Sequence, residues 1–196
     1  MRKTILTLFI AALFSATAVS VTAASDTIFS FRGNAWGASV EQVQKNEDAK
    51  RIETKEDFLK YTDNLDGKKV TVAYFFDDGK LWRGAYLLNE KYSNDNKYVD
   101  SYFELVSLLK EKYGKPDKQT TYWSKDDYKG RHEKRGIAHS IGEACTVTVW
   151  NNVDGTEIRA EIGGNNFKIT VTIAYTSINL GAKALTKEKE KEKSKI

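Results

Sequence analysis

Between residues 145 and 177 apolar and polar side chains alternate with a period of two in three successive runs, each separated from the next by turn-forming residues. "CTVTVWN" sends Cys145, Val147 and Val149 one way and Thr146, Thr148 and Trp150 the other. "TEIRAEI" sets Ile158, Ala160 and Ile162 against Glu157, Arg159 and Glu161, and "KITVTIAYTS" sets Ile169, Val171, Ile173 and Tyr175 against Thr170, Thr172, Ala174 and Thr176. Neighbouring side chains of a strand point to opposite faces, so this alternation demands an antiparallel sheet with one buried and one solvated face. Asn151-Asn152-Val153-Asp154-Gly155 and Gly163-Gly164-Asn165-Asn166 supply the turns. Cys145, Val147 and Val149 are expected inward, and Thr148 and Trp150 outward.

A sheet with one apolar face needs a cover. "YVDSYFELVSLLKEKYGKP" predicts a helix over 98–113 whose inner face carries Val99, Tyr102, Phe103, Val106, Leu109 and Tyr113, stopped by Gly114 and Pro116. Ser39 and Gln42 have the capping-box spacing and predict a short helix over Val40–Glu47. "DFLKYT", "KVTVAYFF" and "KLWRGAYLL" read as three earlier strands, the middle one apolar on both sides. Both halves thus run helix, extended stretch, three-strand meander, and "DGKLWRG" (78–84) shares Asp, Gly and Arg with "DGTEIRA" (154–160). The expected fold is α+β: an antiparallel sheet from two helix-plus-three-strand-meander units, helices packed on one face. The domain is expected over 25–182, with a pseudo-repeat at 31–92 and 96–180.

The ends differ from the middle. Met1-Arg2-Lys3, an uncharged and mostly apolar run to about Val21, and the small residues Thr22-Ala23-Ala24-Ser25 have the pattern of a secretory signal peptide, expected at 1–24. A periplasmic or secreted location follows, and nothing later is apolar enough to span a membrane. "KALTKEKEKEKSKI" (183–196) alternates Lys and Glu and is expected as a charged, disordered tail. The leader brings two positive charges and the tail three, five in all against a chain total of +4, so the stretch between carries −1. That is no electrostatic footprint for nucleic acid.

Several short motifs carry residue types that could support chemistry. Ala138-His139-Ser140-Ile141-Gly142 matches a nucleophile-elbow variant, with His132 as the available base, but the chain after Ser140 enters a strand and no histidine follows. His132 and His139 lie seven positions apart rather than four, so a zinc-protease helix is not formed, and no metal or cofactor is expected. Gly33-x-x-x-Gly37-x-Ser39 precedes a helix like a phosphate loop but lacks its lysine, leaving Arg32 as the one cation at hand. Trp36 stands just before the cap, where packing on the helix end is the expected role. The single cysteine, Cys145, is expected as a buried thiol. An aromatic cluster beside the charged "SKDDYKGRHEKR" loop is the best sign of a contact surface, and Tyr122, Trp123, Trp150 and Arg159 are its candidate residues.

"WGASVEQVQKNE", "YFFDDGKL" and "LLKEKYGKPDKQTTYW" together resemble a group of uncharacterised bacterial exported proteins over most of the chain after the leader. More distantly, the Gly-x-Ser-x-x-x-Val helix start and the helix-then-meander order resemble small envelope proteins of the outer-membrane-assembly lipoprotein type and the tandem-repeat fold of the β-lactamase inhibitor protein. The resemblance implies binding of other proteins without catalysis. The lipid-bearing cysteine of the first group is missing here. The expected function is therefore a non-enzymatic exported protein that binds another protein or an envelope component. A serine hydrolase using Ser140 and His132, and an inhibitor of a secreted enzyme, are the rivals.

Overall fold

The computed structural model describes residues 30–193, and the expected leader at 1–24 lies outside them. A short hairpin, β1 (Ser30–Phe31) and β2 (Asn34–Ala35), leads to α1 (Val40–Asn46) and then to β3 (Lys50–Lys55), β4 (Phe58–Leu65), β5 (Lys68–Asp77) and β6 (Lys80–Leu88). Next come α2 (Asn96–Tyr113), β7 (Lys118–Trp123), a 3-10 turn at His132–Lys134 and α3 (Arg135–Ser140). β8 (Ala144–Val153), β9 (Thr156–Asn165), β10 (Lys168–Ser177) and α4 (Ile178–Lys193) complete the chain. The strands from β3 onward form one antiparallel sheet in the order β3-β4-β5-β6-β10-β9-β8-β7.

The fold is α+β and the sheet antiparallel, as expected. Four strands rather than three follow each of α1 and α2, because the extended stretch ahead of each expected meander itself pairs into the sheet. The two similar strings do not occupy equivalent places: "DGKLWRG" begins at the β5–β6 turn and "DGTEIRA" at the β8–β9 turn.

Cross-strand register defines two faces. Tyr61, Val72, Tyr86, Ile173, Ala160 and Thr148 form one row across the sheet, and Lys60, Ala73, Ala85, Ala174, Arg159, Val149 and Lys118 form a row on the other side. The first face is the core: Val43 of α1 and Val99, Tyr102, Leu105, Val106 and Leu109 of α2 close over it. Here α2 departs from expectation. Leu105 takes the buried position and Phe103 is 39 % exposed, because the stripe that meets the sheet is centred between Tyr102 and Val106.

In β9 and β10 the expected inward residues are inward, but β8 is reversed. Thr148 lies opposite Ala160 and Trp150 opposite Ile158, so Thr146, Thr148 and Trp150 face the helices, while Cys145, Val147 and Val149 face away. Hydrogen bonds make this possible. Thr148 Oγ1 pairs with Tyr102 Oη at 2.7 Å, Thr146 Oγ1 with His139 Nε2 at 3.0 Å, and Trp150 Nε1 donates to the Gly114 carbonyl at 2.9 Å. Buried polar groups cost little once each has a partner. Val147 and Val149 in turn stand opposite Glu161 and Arg159 on the outer face.

Most of the stretch expected as a disordered tail, 183–193, lies in α4, and residues 194–196 lie outside the described residues. α4 packs against β6 and β10: Ala184 is buried, and Gly181 sits so close to the sheet that a Cβ there would lie 2.7 Å from Thr176 Cγ2. Lys187 then bonds Asp77 and Asp78 at 3.0 and 2.8 Å, tying the helix to the β5–β6 turn. Most residues beyond Ala184 whose side chains are described are exposed, as a Lys/Glu alternation requires. At the sheet's borders, β3 carries Lys50, Arg51, Glu53 and Lys55 with a register shift between Arg51 and Glu53, and β7 is six residues long.

Leu105→Ala removes a buried side chain and is expected to cost about 2–5 kcal/mol, whereas Phe103→Ala costs about 1 kcal/mol or less. Urea unfolding midpoints of the two variants check the assignment of the helix face.

Candidate functional site

The segment around Trp36 is held by a polar knot. Arg32 donates from Nε and Nη2 to the two Glu47 carboxylate oxygens at 2.7 and 2.8 Å and reaches Asp63 at 2.7 Å. Tyr74 Oη donates to the same Glu47 carboxylate. Burial would raise the Glu47 carboxyl, but the hydrogen bonds from Arg32 and Tyr74 overcome it and hold it below the usual carboxylate range. Arg32 is thus neutralised by acids rather than offered to an anion. Ser39 forms the capping box with Gln42. Trp36 packs against the core cluster and donates from Nε1 to Thr156 Oγ1 at 2.8 Å, linking the start of α1 to β9. Its role is structural, though its partner is a strand 120 residues away and not the helix it precedes.

Ser140 is fully buried at the end of α3 and donates its hydroxyl to the Ile137 carbonyl at 3.0 Å. His132 sits exposed in the 3-10 turn, and no hydrogen bond joins either histidine to Ser140 among the described residues. A buried hydroxyl engaged with a backbone carbonyl is not an activated nucleophile. His139 Nδ1 donates to the Arg135 carbonyl at 2.8 Å, which makes Nε2 the acceptor for Thr146. Burial pushes the His139 imidazole below its ordinary value.

Cys145 is half-buried on the outer face, 3.7 Å from Glu161 Oε1. Burial first, and the Glu161 carboxylate second, push its thiol up. No group of three His, Cys, Asp or Glu side chains converges as a metal set among the described residues.

The four candidate contact residues do not form one patch. Adjacent strand residues point to opposite faces, so Tyr122 lies on the outer face and Trp123 on the helix side. Tyr122 is 50 % exposed, and Lys118 Nζ lies over its ring and bonds its hydroxyl at 2.6 Å. Arg159 is exposed on the outer face and paired with Glu161 two residues on, at 2.9–3.0 Å. Trp150, at 2 % exposure, belongs to the core and is withdrawn from any contact surface. Trp123 lines a cavity beside Phe103 and His139 instead.

On the outer face, a shallow depression of about 380 Å³ is lined by Cys145, Glu161, Gly163, Thr170 and Thr172, and Tyr122 stands opposite Cys145 in the register. Arg83 lies on the same face with its guanidinium over the Phe75 ring, and its Nε is buried without a hydrogen-bond partner among the described residues. One residue escaped the sequence reading. Phe167, at the β9–β10 turn, is 74 % exposed with φ +60°. The other two-residue turns with both central residues at positive φ are Arg32-Gly33, Asp66-Gly67, Asp78-Gly79 and Asp154-Gly155, each with glycine second, whereas this one is Asn166-Phe167. Glycine is the residue such a position favours. A phenylalanine where glycine belongs was the available signal, masked by the adjacent Gly163-Gly164-Asn165-Asn166, which read as the turn itself.

Comparison with family models, with curated proteins and with solved structures found no match for this chain.

Two outcomes follow from the charge states. The His139 imidazole has a depressed pKa in the folded state, so the unfolded chain takes up its proton first on acidification. The stability it contributes is present above pH 6.5 and falls as pH drops below that value; His139 is expected to titrate below the ordinary histidine value in an NMR pH series. Glu161→Gln removes the carboxylate beside Cys145 and is expected to speed alkylation of that thiol at pH 8, read by mass spectrometry against the unmodified chain.

Proposed function

We propose that this chain is an exported, non-enzymatic binding protein that docks a folded protein partner on the outer face of its sheet, using Phe167 at the β9–β10 turn together with Tyr122 on β7 and Arg159 on β9. The observation that carries this is Phe167. A bulky side chain in the left-handed region costs about 1–2 kcal/mol relative to the ordinary conformation, and strain of this kind is retained where the residue has work to do. Here that side chain is 74 % exposed at the tip of the β9–β10 hairpin. Aromatic anchors flanked by adaptable polar groups are the usual centre of a protein interface.

Charge complementarity supports the same face. Lys60, Lys118 and Arg159 lie in one row on that surface, so an acidic segment of the partner suits it. The leader at 1–24 supports export to the periplasm or beyond. Among the described residues no helix is long and apolar enough to cross a membrane. The strand order, in which the last strand of each half meets the other at the centre, supports two copies of one helix-plus-strands unit.

Phe167→Gly separates function from folding. It is expected to raise the melting temperature by about 2–4 °C, the shift that roughly 1 kcal/mol produces in a domain of this size, while photo-crosslinking from a probe at position 122 to the envelope partner disappears. Lower stability of the variant, or a crosslink that persists, overturns the assignment of Phe167 as the anchor. A probe at position 103, on the helix side, is expected to give no such crosslink.

A further inference from the structure

On the side of the sheet away from that docking face, α2, β7, β8, α3 and the loop before α3 enclose a cavity of about 250 Å³. Its walls are Trp123, Phe103 and Val99; its floor is Thr121, Thr146 and His139; and Arg135 and Lys129 stand among its lining residues. Phe103 and Trp123 are both partly open to solvent, although each is large and apolar. No carboxylate lines the cavity. Lys129 is paired with Asp126 at 3.2 Å, but Arg135 makes no side-chain ion pair among the described residues. A cation left unpaired beside an apolar, aromatic-walled hollow is an arrangement that ligand sites use and folding does not need.

Proton bookkeeping on the floor is determinate. The Arg135 carbonyl can only accept, so His139 Nδ1 carries the hydrogen and the neutral Nε2 accepts from the Thr146 hydroxyl. Thr146 has then spent its one proton, and its 2.9 Å contact with Thr121 must be donated by Thr121. Thr121 Oγ1 is left with lone pairs only, on the cavity floor. The burial that depresses the His139 pKa keeps this direction fixed at neutral pH. The floor therefore asks for a hydrogen-bond donor, the wall for an aromatic ring, and Arg135 for an anion.

We propose that this cavity binds a small hydroxylated aromatic carboxylate, with the ring between Trp123 and Phe103, the phenolic hydroxyl donating to Thr121 and the carboxylate on Arg135. The volume lies just under the ~300 Å³ at which sites for drug-sized ligands begin, which suits a single ring and excludes a nucleotide. Bidentate pairing of guanidinium with carboxylate gives the site its preference for an acid over an alcohol.

The test uses the chain from residue 25 with 4-hydroxybenzoate as the probe, read by isothermal titration calorimetry and by quenching of tryptophan fluorescence. Saturable binding is expected, with the quenching lost in Trp123→Phe while calorimetric binding persists. Arg135→Gln is expected to weaken binding about 10- to 100-fold, the range for a hydrogen bond to a charged group. Benzyl alcohol, without the carboxylate, and 4-methoxybenzoate, without the donor, are each expected to bind at least about tenfold more weakly. No saturable binding to the wild-type chain, equal affinity for benzyl alcohol, or affinity unchanged in Arg135→Gln overturns the proposal. Phe167→Gly is expected to leave this binding unaltered, so the outcome is separable from the protein-docking proposal.

Discussion

The molecule depends on the seam where β6 pairs with β10. Residues Arg83 to Leu87 run antiparallel to Thr172 to Thr176, and this ladder makes one eight-stranded sheet out of two successive four-stranded stretches. The ring of Phe31 is packed over the seam, in contact with Tyr74, Tyr86 and Tyr175 at centroid distances of 5.2 Å. It lies so close to Gly84 that a Cβ at that position would collide with it. A glycine in a central strand normally weakens it; here its missing side chain is the space in which the amino-terminal hairpin is seated. Arg32, next in the chain, then secures α1 through Glu47, and the Glu47 carboxylate reaches back to Tyr74 of the sheet. The first half is therefore closed by a small amino-terminal lid and the second by the long α2.

From that asymmetry the two surfaces follow. α2 and α3 cover β8 to β10 incompletely, and the gap left between α2 and β7 is the aromatic cavity. On the opposite side α4 packs near Thr176 and Trp82, and a row of alanines, Ala73, Ala85 and Ala174, runs across the middle of that face. The alanines are themselves buried, and of their neighbours on that face Phe75, Arg83 and Leu87 are half-buried and Arg159 is exposed.

What the sequence could and could not convey is clearest in β8. Periodicity located the strand, its length and its neighbours, and in β9 and β10 it also gave the inward face. In β8 the two faces differ little in polarity: Thr146 and Thr148 compete with Val147 and Val149, and only partners from distant helices decide between them. Tyr102 and His139 supply those partners, and neither contact is visible along the chain. The same limit misplaced Trp150, whose indole nitrogen is satisfied by a helix-terminal carbonyl 36 residues earlier. Tyr122 and Trp123, by contrast, needed no structure to be separated, since adjacent strand positions cannot share a face. In α2 the three-and-four spacing admitted either Phe103 or Leu105 beside Tyr102, and the position of the sheet chose Leu105.

The two borders of the open sheet are unlike each other. β3 presents charged residues, all at least partly exposed, and a bulge that breaks its register; β7, of the same length, is uncharged from Gln119 to Trp123. Charge and irregularity discourage further strand addition, so only one border of this molecule is receptive. Two copies joined along it would use up that border in both and expose only guarded ones, which means the sheet can pair but has no second end from which a fibre could grow.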